Sequence, residues 1–114
     1  MLQMTGRGPL AMHQTLGWRG RSGRLYGMEP ISLDRFILNT GELYLVALRE
    51  IVLWVGSAED LIGDYQSRSR FRLAMDCADR VFRVDVAADD VERATVGWDL
   101  EGGEPLQELS ASAA

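Results

Sequence analysis

Apolar and polar residues alternate twice between Arg70 and Val86. Phe71, Leu73 and Met75 are interleaved with Arg70, Arg72, Ala74 and Asp76, and Phe82, Val84 and Val86 with Arg83 and Asp85. A period of two lets a strand bury one face, so the pattern predicts a β-hairpin. Its turn, around Asp76 to Asp79, lacks an Asn-Gly signal and is expected to exceed two residues. Upstream, Arg35 to Asn39 places Phe36 and Leu38 on one face of a strand, and Thr40-Gly41-Glu42 offers a tight turn with Gly at a position needing positive φ. Leu43 to Ala47 then reads as a returning antiparallel strand. Ile51 to Val55, unbroken, β-branched and aromatic, reads as a central strand buried on both faces. A second reading makes Glu42 to Val55 one buried helix of about four turns, because an all-apolar run shows no diagnostic period.

Two helical segments are signalled. Ser57 with Asp60 gives a Ser-x-x-Asp start, with Leu61, Ile62 and Tyr65 as its apolar side, for a one-turn helix or a loop. Asp89 as N-cap with Glu92 at N3 opens a second helix, whose Val91, Ala94, Thr95 and Trp98 recur at i, i+3, i+4 and i+7 and are expected to pack on the sheet. The fold class predicted is α+β and mostly β: about five antiparallel strands in a small open sheet or barrel with one short C-terminal helix. The alternative is a helical N-terminal half followed by a C-terminal β-hairpin.

Charge divides the chain. Residues 1 to 27 hold Arg7, Arg19, Arg21 and Arg24 with no acid, and six of the twelve glycines; the remainder holds eight Arg against all seventeen acids. Glycine entropy opposes regular structure, so 1–27 reads as a flexible Gly/Arg-rich arm or an over-extended leader. Residues 28–98 read as one globular domain, and 99–114, rich in acid with a Ser/Ala ending, as a flexible tail whose leucines could add an edge strand.

Chemistry is sparsely signalled. Cys77 lies between Asp76 and Asp79, whose charges raise a thiol pKa, and His13, the one histidine, is far away in sequence. The acids Asp85, Asp89, Asp90 and Glu92 lack the glycine-punctuated spacing of a calcium loop, and helix capping accounts for two of them. No catalytic residue, metal set or cofactor is therefore assigned, and the chain is not expected to be an enzyme. A single cysteine, no secretory h-region and no apolar run of roughly 18 residues point to the cytoplasm and away from a membrane.

Three partner readings follow. Charged ends and an unpaired sheet edge suggest a non-catalytic interaction or regulatory module, in its simplest form a homodimer joined through that edge. The mix of Trp18 with Arg19, Arg21 and Arg24 suits weak contact with single-stranded nucleic acid. Arg70, Arg72, Arg80 and Arg83, on the solvent side of the expected hairpin, could bind an anion or small molecule, or pair with Asp76 and Asp85. Trp54 and Trp98 are expected in the core; whichever were left exposed would become a hot spot for a protein partner.

Overall fold

A computed structural model describes residues 17–86 and 89–106. They form one six-stranded open sheet of order β4-β3-β5-β2-β1-β6, with every neighbouring pair antiparallel. The strands are β1 (Gly17–Arg19), β2 (Leu25–Ile31), β3 (Leu43–Leu48), β4 (Ile51–Gly56), β5 (Arg80–Val84) and β6 (Glu104–Pro105). The helices are α1 (Ala58–Gly63), α2 (Tyr65–Cys77) and α3 (Asp90–Glu101). The antiparallel α+β class is as the sequence implies, with one more strand and two more helices.

Glu42 to Val55 is two strands, and β3 is the one buried on both faces. Leu43, Leu45 and Ala47 point into a core with Trp18, Tyr26, Phe82 and the α3 residues Val96 and Leu100. Tyr44 and Val46 point the other way, into a cluster with Trp54, Val81 and Ala74 of α2. Ile51 to Val55 is not the central strand expected: β4 ends the strand order, and Ile51 is 62% exposed. In β4 the pairing runs Val46 with Trp54 and then Ala47 with Val52, so Leu53 is the extra residue of a β-bulge.

The expected hairpin is half right. Val81 to Val84 is extended within β5, which pairs with β3 and β2, but Phe71 to Asp76 lies inside α2. Phe71, Ala74, Met75 and Ala78 recur at helical spacing against the second cluster, whereas Leu73, the middle of the period-two pattern, faces solvent. Asp64 caps α2 by accepting from the Gln66 N–H at 3.0 Å. The expected strand over Arg35 to Asn39 is also absent; a 3-10 turn at Leu33–Arg35 leads into irregular chain, with Phe36 and Leu38 half-buried. Gly41 does adopt positive φ, 82°. Ser57 and Asp60 form the full capping box of α1, and Asp89 caps α3 through the Glu92 N–H at 2.7 Å.

The flexible-arm reading is corrected for residues 17–27, which form β1 and open β2; residues 1–16 lie outside the described region. Trp18 and Tyr26, both core residues, outweigh the glycine entropy there. The acidic tail likewise begins as the end of α3, and Glu104–Pro105 pairs with β1; 107–114 lie outside the described residues.

One polar network ties these ends together. The Asp99 carboxylate, 4% exposed, accepts from the Ser22 N–H at 2.7 Å, the Ser22 hydroxyl at 2.8 Å and the Tyr26 hydroxyl at 2.8 Å. It occupies the space beside Gly20, where a Cβ would sit 2.1 Å from Oδ2. Desolvation is the largest single influence on Asp99 and raises its pKa, but the bonds from Tyr26 and Ser22 and the Arg21 charge together bring it below the ordinary value. Tyr26 is pushed up to about 12, first by desolvation and then by its bond to Asp99.

Folding thus holds Tyr26 protonated. Its contribution is whole below about pH 10 and is lost as the pH rises from about 10 to about 12. The contribution of Asp99 runs the other way: present above about pH 4, it is lost as the pH falls through the lower folded pKa. Tyr26→Phe should cost about 1–3 kcal/mol at neutral pH and flatten the alkaline limb of stability measured by urea unfolding. An unchanged alkaline limb would show that the bond carries no weight.

Candidate functional site

A concavity opens where β4 ends. Its floor is Leu43, Val55 and Gly56; Asp60, Asp64, Ser67 and Arg70 come from the α1–α2 side, and Ala94, Gly97, Trp98 and Glu101 from α3. The cavity measures about 250 Å³, and a neighbouring lobe of about 150 Å³ shares Leu43, Asp60, Arg93 and Ala94 with it.

Its polar groups are engaged in holding the walls. Asp60 accepts from the Ser57 N–H at 2.9 Å and from its hydroxyl at 3.2 Å. Arg93, nearly buried, donates to the Gly41 carbonyl at 3.2 Å and pairs with Asp90, while Glu59 accepts from the Gly41 N–H at 3.2 Å. The Gly41 turn is therefore clamped between α1 and α3. Glu59 titrates below the ordinary carboxylate range, chiefly because its own backbone N–H bonds to it, partly opposed by desolvation and aided by Gly41, Ser57 and Arg93. Trp54 donates its indole N–H to Ser67 at 3.1 Å.

At the other end Arg70 meets Glu101 at 3.4 Å. Because α2 and α3 cover opposite faces of the sheet, this ion pair passes around the outer edge of β4. The lining residues include no Cys or His, and among the described residues no group of three or more His, Cys, Asp or Glu is placed to hold a metal. Asp89 serves as a cap, Asp90 meets Arg93, and Glu92 meets Arg24 at 3.2 Å.

The residues proposed for nucleic acid do not form a stacking platform. Trp18 is buried at 1% exposure beside Phe82, which removes it from any such role. Arg19 lies 3.8 Å from Glu104, Arg24 pairs with Glu92 and covers the Tyr26 ring, and Arg21 stacks on Trp98 at 4.3 Å while donating to its carbonyl at 3.1 Å.

The four arginines proposed for an anion are likewise divided, Arg70 and Arg72 on α2 and Arg80 and Arg83 on β5. The expected pairs with Asp76 and Asp85 give way to Arg70 with Glu101, and to Arg83 with Glu29 at 2.7 Å and Glu42 at 3.4 Å. Hydrogen bonding to Glu29 is the main reason that Arg83 stays charged more firmly than usual, against desolvation and with help from Glu42. Cys77 is exposed at the end of α2.

The inward face of α3 is Arg93, Val96, Gly97 and Leu100, not the stripe the periodicity singles out. Val91 and Trp98 face solvent, 77% and 60% exposed, and Ala94 and Thr95 between them are exposed too. The signal for this lay in Val96 and Leu100, a second apolar pair at i, i+4 on the same helix.

Among the described residues no helix is long and apolar enough to cross a membrane. Comparison with known proteins finds no family model, curated protein or solved structure that matches this chain.

Replacing Arg93 by Met, which keeps the stem but removes the guanidinium, should release the Gly41 turn and cost about 1.5–3 kcal/mol by denaturant unfolding. Faster hydrogen exchange at Gly41 should accompany it; unchanged stability and exchange would show that the clamp is idle.

Proposed function

We propose that the protein is a non-catalytic protein-interaction module of the cytoplasm that docks through the outward side of α3. The exposure of Trp98 carries this reading: a large indole stands beside Val91 on a helix whose other side is already packed in the core. Helices apolar on both sides are normally covered on both, and Trp leads the residues that dominate interface energies. The unpaired thiol of Cys77 suits a reducing compartment.

Docking by strand addition at β4 has less support. The Leu53 bulge breaks the edge ladder, and the Arg70–Glu101 pair lies across its end, two devices that discourage edge pairing. The far edge, β6, is two residues long and contains Pro105.

Capture by chemical crosslinking, with the full chain and its Trp98→Ala variant as parallel baits, tests the reading. Polypeptides recovered by the first, whether other proteins or further copies, should be depleted at least tenfold with the second. Equal recovery would overturn it.

A further inference from the structure

On the face of the sheet opposite α3, the geometry points to a site for a small amphipathic carboxylate, an aliphatic or aryl acid with one negative end. A groove of about 360 Å³ runs along α2, lined by Leu61 of α1 and by Arg68, Phe71, Arg72, Met75 and Asp76 of α2. That volume is in the range of small-molecule pockets. Helical spacing builds it: Phe71 and Met75 recur at i, i+4 as an apolar floor, half-buried against the second cluster, and Arg68, Arg72 and Asp76 recur at i, i+4, i+8 as a charged rim.

The two arginines play different parts. Arg68 donates through Nη1 to the carbonyls of Leu61 at 2.9 Å and Ile62 at 3.2 Å, and its guanidinium lies 5.6 Å from the centre of the Tyr65 ring. It caps the end of α1 and so fixes one wall of the groove to the other. Arg72 is exposed, and among the described residues no hydrogen bond, ion pair or ring contact engages it, not even from Asp76 one turn further on. Arg70 and Arg83, by contrast, are held by carboxylates of the chain.

Charge sets the direction of the ligand. A carboxylate held by Arg72 at the Arg68 end lays its hydrocarbon over Phe71 and Met75, with Leu61 across from them, and points its other end at Asp76. A second negative charge there would be repelled. An exposed guanidinium–carboxylate pair contributes little alone in water, so the buried hydrocarbon has to supply the rest. Acetate, which has the charge without the hydrocarbon, and octanedioate, which has a charge at both ends, should therefore bind much more weakly than octanoate.

Nuclear magnetic resonance of the full chain, labelled at its methionine methyl groups, tests this at millimolar ligand. Octanoate should shift the Met75 methyl saturably and leave that of Met28, 1% exposed in the other core, in place. Acetate and octanedioate should each bind at least tenfold more weakly, and Arg72→Gln should weaken octanoate tenfold. Since nothing in the fold engages Arg72, the variant should keep the parent's urea-unfolding midpoint, which separates a lost ligand contact from lost structure. No saturable shift at Met75 overturns the site. So does equal affinity for octanoate in Arg72→Gln, or octanedioate binding as tightly as octanoate. Val91 and Trp98 lie on the other face of the sheet, so the docking reading is tested separately by the crosslinked capture.

Discussion

Everything in this fold follows from keeping β3 dry on both faces. Leu43 to Ala47 has no solvent-facing side, so the sheet must be covered above and below, and β3 must have a strand at each edge. Because β4 and β5 both run antiparallel to β3, they are parallel to one another. No tight turn can join parallel strands; the chain between them has to cross one face, ordinarily as a helix. The α1–α2 segment is that crossover, α3 covers the opposite face, and the two layers meet around the outer edge of β4. The cleft is the seam they leave.

The Asp99 network solves the matching problem at the other end of the sheet. β1 is three residues long and would pair weakly alone. A buried carboxylate receiving three hydrogen bonds locks its turn and the start of β2 onto α3. The cost of taking that charge out of water is offset because Tyr26 and Ser22 both donate to it and the charge of Arg21 favours it. Trp18 and Tyr26 can then enter the core. Local composition argued for a loose arm, and long-range contacts overrode it.

What could be read in the sequence divides along the same line. Caps, the Gly41 turn and the paired strands at Leu43 and Ile51 were legible because their causes are local. Phe71 to Met75 misled because helix and strand periods coincide over five residues. The tie is broken by strand order, which one sequence does not display, although Gln66, Ala74 and the several arginines of α2 are tolerant of a helix. Trp98 misled for a related reason: periodicity finds a stripe on α3, but the sheet selected the competing pair Val96 and Leu100. Of the candidate contact residues, Trp18 was lost to the core, and several arginines were dispersed among carboxylates far away in sequence.

That dispersal also bears on function. Asp60, Glu59, Asp89, Asp99, Arg83 and Arg93 are each engaged by capping, by a backbone group or by an opposite charge of the same chain, so these six groups serve to hold the fold. What α3 leaves in solvent is an indole and a valine at opposite ends of an outward face with alanine and threonine between them. The interaction reading rests on that face and on the cost of leaving an indole in water.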